Sequence, residues 1–490
     1  MAQNPLLQSL GAFGLIEEVT PGAAVAITAT EVIAPIEGSV RPEDPMLEVN
    51  TLRNRHGKGL PVKGGEVRKV SFAYSAKSQG TAGSGPPTPI QDAYEASGLT
   101  RTNHAGVMDL YNLTTSLLSA KSVTAKEFHG SAGMGKTFSA KGCRFNLKIA
   151  MPSGKFTQLN FDGSGARAAE ADEVCLAAGA EPASTVEPPI TLNSGMFLAE
   201  YHAVLEEVLD GASIELREGA ALAVQIAKSI TQGGTAQKIY AVAVPLKKVG
   251  TPANSTLGVW MELQTDNAGN PSGTPVTGGT SSPIAISKIS AIAGPWYLFM
   301  FADYPTHPAG ALCHYVVKGD YDPDPDNNIE VATDVVAAPA QNSKKFDAAW
   351  VEIALRNLSM RIYVATGEAD LMFGDTEIDL GNELVPREDP NATEGTREFL
   401  LVDRLPKLTL APEEQLTANR TFRAYRDNQT PLFFHARSGA VEGNIFEVSL
   451  HNVVIVSDAN LGDRGKRLTH PLILQFDEQK TNTGLEIRYT

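Results

Sequence analysis

Along most of this chain the apolar side chains fall at every second position. Val70, Phe72 and Tyr74 alternate with polar or small neighbours, and so do Phe145, Leu147 and Ile149, then Phe446, Val448 and Leu450, while Leu472, Leu474 and Phe476 keep the same spacing with Ile473 and Gln475 between them. Successive side chains of an extended backbone point to opposite faces, so a period of two predicts half-buried antiparallel strands. Helical signals are few. The segment TPIQDAYEASG predicts one helix, with Thr88 as cap, Pro89 at the first helical position, Gln91 completing a capping box and Gly98 ending the element. A second helix is predicted from Pro412 to about Asp427, with Leu416, Phe422 and Tyr425 on its buried face. The expected fold class is mainly β, with a packed helix in two places.

The order of these signals repeats. The first part reads as a strand (EVIAPIEG), an acidic proline loop (VRPEDP), a long strand, the helix near residue 90, then GKTFSAKGCRFNLKIAMPSGKFTQLNF. The last part reads as a strand (TEIDLGNE), an acidic proline loop (VPREDP), a strand, the helix near 420, then GNIFEVSLHNVVIVSDANLGDRGKRLTHPLILQF. An internal duplication is the expectation. Residues 205–365 differ in character: they hold all three tryptophans, Trp260, Trp296 and Trp350, and a loop-like run, NAGNPSGTPVTGGTSSP. Their recurrent short strands and turns predict an inserted β-sandwich. The expected division is therefore 1–165, then 166–204 with 366–490, then the insert 205–365.

A length of 490 residues suits about three such units. With 42% hydrophobic and 20% charged residues the composition is that of a globular protein, and no apolar run approaches the roughly 20 residues needed to cross a bilayer. The N-terminal segment has no basic start ahead of its apolar residues, which argues against a secretory signal. Cys143, Cys175 and Cys313 are far apart with no CxxC spacing, so neither a disulfide framework nor a zinc knuckle is indicated. A formal charge of −15 disfavours nonspecific DNA binding and suits a surface along which DNA slides.

VSFAYSAKSQGTAGSGPPTPIQDAYEASGLTRT, a long strand leading through a small-residue loop into a short helix, is similar to the major tail tube proteins of long-tailed bacteriophages. The similarity continues through GKTFSAKGCRFNLKIAMPSGKFTQLNFDG and resumes with DTEIDLGNELVPREDPN and the closing strands. It implies two tail-tube-type β-sandwich or barrel domains, each with a flanking helix, and a structural subunit rather than an enzyme, with no cofactor. Rings of that family carry sixfold tube-domain symmetry, so two domains per chain imply homotrimeric, pseudo-sixfold rings, with hexamers as the fallback. The implied partners are further copies of the chain, the tape-measure protein, and tail terminator and distal tail proteins. DNA would pass through the lumen unbound, and the protein would be built in the host cytoplasm and end in the virion tail. The insert resembles jelly-roll, carbohydrate-binding modules and would face outward, where its tryptophans would either stack on host-surface glycans or pack a core. The alternatives are a tube-terminating or distal tail protein of the same fold, and a carbohydrate-binding surface protein with 205–365 as its working part.

Three motifs bear on chemistry. Gly130–Thr137, GSAGMGKT, satisfies the P-loop pattern, but the residues after it alternate like a strand, where phosphate binding needs a helix; the family resemblance places this cluster in a hairpin turn. Asp320, Asp322, Asp324 and Asp326, with Glu330 beyond, offer hard oxygen ligands and form a calcium candidate, although they lack the glycine and helices of an EF-hand; the bland reading is a solvated acidic loop. Arg53, Arg55, Lys58 and Lys63, followed by Arg68 and Lys69, form a basic cluster that would meet acidic loops of an adjacent ring or stay solvated. The nine histidines include no HExxH pair, and no GxSxG elbow occurs, so no catalytic residue is indicated.

Overall fold

The computed structural model describes residues 12–490 apart from 44–45, 48–61, 64–65, 82, 132–133, 153–154, 178, 180–195, 203–211, 217–223, 323–325, 336–342, 348, 354–355, 366–374, 393, 414–421, 440–442, 459–461, 465–466 and 477–483. The chain is mainly β, and every described strand pairing is antiparallel. The pairings branch, and no barrel closes among the described residues. The alternating segments became strands as their patterns required. Phe145, Leu147 and Ile149 lie on one face of the strand Met134–Met151 and are fully buried, and Leu472, Leu474 and Phe476 do the same on Leu472–Phe476.

One pairing pattern occurs twice. In the first half, Met134–Met151 has Val123–Ser131 along one side of its beginning and the hairpin return Gln158–Arg167 along the other side of its end. In the second half, Phe446–Asp458 has Leu432–Ser438 and Leu472–Phe476 in the same two places. An N-terminal strand flanks each group: Ala12–Glu17 pairs with Val123–Ser131, and Met196–His202 pairs with Leu432–Ser438. Each half also carries a hairpin after its proline-containing edge strand, Glu37–Glu43 with Val67–Ser75 and Asn382–Glu388 with Thr396–Arg404. Pro42 and Pro386 sit in strands paired on one side only among the described strands, where a missing N–H is tolerated.

Helix α1 spans Thr88–Ala96. Its N-cap is Pro87 rather than Thr88, and Gln91 turns its amide back to the Pro86 carbonyl at 2.6 Å instead of closing a capping box. Gly98 follows at φ +79, a conformation that ends the helix without Cβ strain. Tyr94 reaches from α1 to Tyr489 of the last strand, hydroxyl to hydroxyl at 2.7 Å. Helix α2 covers Phe422–Asp427. The expected start at Pro412 does not hold, because the neighbouring Glu413 is bridged to Thr469 in extended pairing; Leu416 lies outside the described residues. Phe422 is buried as expected and Tyr425 packs partly buried against the core.

The described residues between 212 and 365 form two facing sheets around one apolar core. A six-stranded sheet contributes Met261, Leu263, Tyr315 and Val317, and the opposing strands contribute Val242, Val244, Phe299 and Val331. The glycine- and proline-rich run read as a loop is largely a strand, Asn270–Thr280. Among the described strands it pairs with Val259–Asn267 alone, through two register shifts, and an irregular edge position accommodates its prolines and glycines. The opposing sheet runs directly into the second half: Arg361–Ala365 lies between Gln237–Val249 and Met196–His202.

Candidate functional site: an edge-to-edge seam

The two halves meet where the end of Met134–Met151 takes up the strand Thr376–Asp379. Lys148 pairs with Asp379, Ile149 with Ile378, Ala150 with Glu377 and Met151 with Thr376. On the core side Leu147, Ile149, Ile378 and Leu380 are fully buried, so the apolar layer continues across the joint. On the other side the Lys148 ammonium lies 3.1 Å from the Asp379 carboxylate, a contact that raises the lysine above its ordinary value. Burial alone would push the Asp379 carboxyl up, but hydrogen bonds from Asn146, the Gly381 N–H and Lys148 outweigh it and hold the group below the usual range.

Beside this short ladder sits a polar clasp. Asn146 donates to Asp379 Oδ1 at 2.8 Å and accepts from the Asn382 N–H at 2.9 Å. Asn382 donates its amide to the carbonyls of Ser97, at 2.8 Å, and Phe145, at 2.9 Å. Its own oxygen accepts from Arg404 Nε at 3.0 Å, and Arg404 Nη2 donates to the Gly98 carbonyl at 2.9 Å. A Cβ on Gly98 would stand 2.3 Å from that Nη2, so the turn that ends α1 also admits the arginine. A second arginine, Arg144, donates to the carbonyls of Phe399, Ala120 and Lys121, with the Glu398 carboxylate 3.6 Å away. The halves are joined again where Leu485–Tyr489 pairs with Met108–Leu113.

Among the described residues the equivalent edge in the second half carries no strand, although helix α2 lies beside Phe446–Asp458. The beginning of Phe446–Asp458, as far as Val453, is flanked by Leu432–Ser438, in the way that Val123–Ser131 flanks Met134–Met151. Beyond Val453 that side has no strand partner among the described residues, whereas the matching side of Lys148–Met151 holds Thr376–Asp379. Val456 is 47% exposed here, on a bulge between Ile455 and Ser457, and Ile473 on the neighbouring strand is 36% exposed. At the far end of the sheet Glu37–Glu43 is the outermost strand, with the Val40 N–H held by the Glu127 carboxylate at 2.7 Å.

The residues singled out from the sequence are dispersed. Gly130 pairs with Gly135 and Met134 with Ser131, so the P-loop-like segment is a β-hairpin, and a strand stands where a phosphate site needs a helix; Lys136 lies over the Phe138 ring. Asp320 directs both oxygens at the neighbouring loop before Val259–Asn267, accepting from Ser255, Thr256, Leu257 and Gly258, and these bonds outweigh burial and depress its carboxyl. Asp322 accepts from Asn254, Glu330 from Lys247 and Ser213, and Asp324 lies outside the described residues. Arg53, Arg55 and Lys58 also lie outside them, while Lys63 belongs to a short strand, Val62–Lys63, paired with Met46–Leu47. Arg68 is not part of a solvated cluster: it is buried and ion-paired with Glu66 and Glu170. Trp296 is buried, whereas Trp260 and Trp350 are half-buried, the first donating to Glu262 at 2.9 Å and the second edge-on to Phe346.

The seam residues carried no sequence signal, because Asn146, Asn382 and Arg404 are ordinary polar residues brought together only by the strand register. Among known proteins, no family model matches this chain and no curated sequence matches it.

Proposed function

We propose that this chain is the tail tube subunit of a long-tailed bacteriophage, a structural virion protein that forms rings and stacks them into a hollow tube. The observation that carries the reading is the seam. Two halves with the same strand pairing are joined edge to edge inside one chain, and among the described residues the second half has no strand on the edge that the first half uses for that joint. Repeating the joint between chains extends the sheet around a ring, which turns an exposed edge from an aggregation hazard into an assembly contact. With two units per chain, three chains complete a pseudo-sixfold ring.

On this reading residues 1–165 are the first tube domain, 166–204 with 366–490 the second, and 205–365 an outward decoration. The tape-measure protein fills the tube during assembly, DNA passes through it on ejection, and the terminator and distal tail proteins close its ends. Electron microscopy of the purified full chain tests the proposal, with mass photometry alongside. Stacked hollow rings built from trimers are the expected result. Hexameric rings would retain the tube and discard the count, single rings that never stack would favour a terminating or distal role, and monomers alone at every ionic strength tried would overturn it.

A further inference from the structure

Eight strands form one unbroken antiparallel sheet across the seam. In order they are Glu37–Glu43, Val67–Ser75, Gln158–Arg167, the end of Met134–Met151, Thr376–Asp379, Lys407–Leu410, Leu472–Phe476 and the end of Phe446–Asp458. A single row spans most of it: Asn160 pairs with Lys148, Lys148 with Asp379, Asp379 with Lys407 and Lys407 with Gln475. The period of two gives this sheet two unlike faces. Phe72, Phe161, Leu147, Ile378, Leu408 and Leu474 turn to the core, whereas Asp162, Glu377, Lys407 and Thr409 on the other face are exposed.

The bulk of the chain lies on the core side of this sheet. Ile90, Ala93 and Tyr94 of α1 and Phe422 of α2 join that core, as does Phe434 of the facing strand Leu432–Ser438. Phe433, on the far face of the same strand, packs with Ala243 and Trp296 of the insert. From the exposed face the order is therefore sheet, core, facing strands, insert. When copies join through the sheet edges the sheet becomes the wall of a ring, and the inside of a ring has less room than the outside. Helices, facing strands and insert need the longer circumference, so the exposed sheet face turns inward.

The lysines along the row are matched. The Lys148 ammonium has Asp379 at 3.1 Å and Glu377 at 4.0 Å, and Asp162 adds to the pull that raises it above its ordinary value. Lys407 lies across from Asp379. Two lysines thus stand among three carboxylates. Nonspecific DNA binding draws on counterion release by free cations, and a lysine already held by carboxylates contributes little to it. We propose that this exposed sheet face is the wall of the channel and that duplex DNA passes along it without being held. The inference rests on the tube reading and adds to it which side of the sheet faces inward.

Thiol accessibility on assembled tubes is the test, in a Cys175→Ser background because Cys143 and Cys313 are buried. Thr409→Cys and Ser71→Cys each place a thiol on the sheet face, and Val351→Cys places one on the insert, where Val351 is 50% exposed. In the unassembled chain all three are expected to react with both N-ethylmaleimide and a maleimide coupled to albumin. In tubes the two sheet-face thiols should keep the small reagent and lose the large one, while Val351→Cys keeps both. Gln158→Lys adds a cation whose strand neighbours, Ala150 and Ser75, carry no charge; its tubes are expected to retain short duplex DNA at low salt, and parent tubes to retain none. Sheet-face thiols that react with the albumin reagent in tubes, or with neither reagent, overturn the assignment of the wall. Equal retention of DNA by parent and Gln158→Lys tubes overturns the charge argument. Absence of tubes from the parent chain instead overturns the tube reading, and this inference falls with it.

Discussion

The clasp at the seam makes a quantitative prediction. Asn382→Ala removes three side-chain hydrogen bonds, two to the carbonyls of Ser97 and Phe145 and one from Arg404. A net contribution of about 1 kcal/mol for each gives roughly 3 kcal/mol. Arg404 is only 6% exposed, so its stranded Nε is poorly placed to find water and raises the cost, while relaxation around the half-buried position 382 lowers it. The expected loss is therefore about 2–4 kcal/mol, a sizeable part of the roughly 5–15 kcal/mol that holds a typical domain folded. Urea unfolding of the purified chain reads it as a lower midpoint at unchanged slope. The exposed Asn391 is the control, since its backbone N–H, not its side chain, donates to Asp389; Asn391→Ala should stay within about 0.5 kcal/mol of the parent. If Asn382→Ala also stays within that margin, the polar clasp does not hold the halves together and the seam rests on its apolar layer alone.

Three further changes test other parts of the reasoning. Burial first, then Glu17 and Glu95, push the Asp92 carboxyl up to about 7 from 3.8, so the native state binds this proton more tightly; stability is full below about 3.8, is lost by up to about 4 kcal/mol as pH rises to 7, and Asp92→Asn should recover part of it in melts at pH 8 but little at pH 4. His435 behaves oppositely: burial lowers it to about 4 from 6.5, so stability is full above about 6.5 and falls as pH drops toward 4, and His435→Gln should flatten that acid limb. The two slopes overlap and oppose each other between those limits, so each is seen cleanly only in the variant that lacks the other. Val456→Glu places a charge on the open edge and should abolish ring formation in negative-stain micrographs while shifting the melt by no more than about 0.5 kcal/mol; intact rings would show that closure uses another surface.

What the sequence disclosed follows from how local each signal is. Period-two alternation depends on neighbours two residues apart, and Phe145, Leu147, Ile149 and their counterparts near 448 and 474 are buried on one face as read. The stop at Gly98 is local too, whereas the cap was misplaced by one residue because Gln91 had a carbonyl available at Pro86. Asn270–Thr280 was misread because glycine and proline usually signal turns, and only its edge position, a property of the whole sheet, permits a strand there. Asn146 and Asn382 are 236 residues apart in the chain. No pattern along the sequence marks them as partners; the register of Lys148 with Asp379 does.

The placement of prolines and open edges bears on how a ring would close. Pro42 and Pro386 lie toward the outer ends of their hairpins, where a free strand edge would invite pairing with any extended chain. The edge after Val453 holds no proline and no strand pairs with it among the described residues, yet it occupies the position that Lys148–Met151 fills with Thr376–Asp379. An edge protected in one place and left available in another is a choice of partner. On the proposed reading the joint between chains is heterologous: the edge after Val453 of one chain receives an edge strand of the next, as the first half receives Thr376–Asp379 within the chain. A heterologous joint gives a closed ring only if its rotation divides a full turn, and otherwise an open helix. On the proposed reading the internal seam sets the rotation between neighbouring units by its own ladder and clasp, and closure requires that this rotation divide a full turn and that the joint between chains reproduce it.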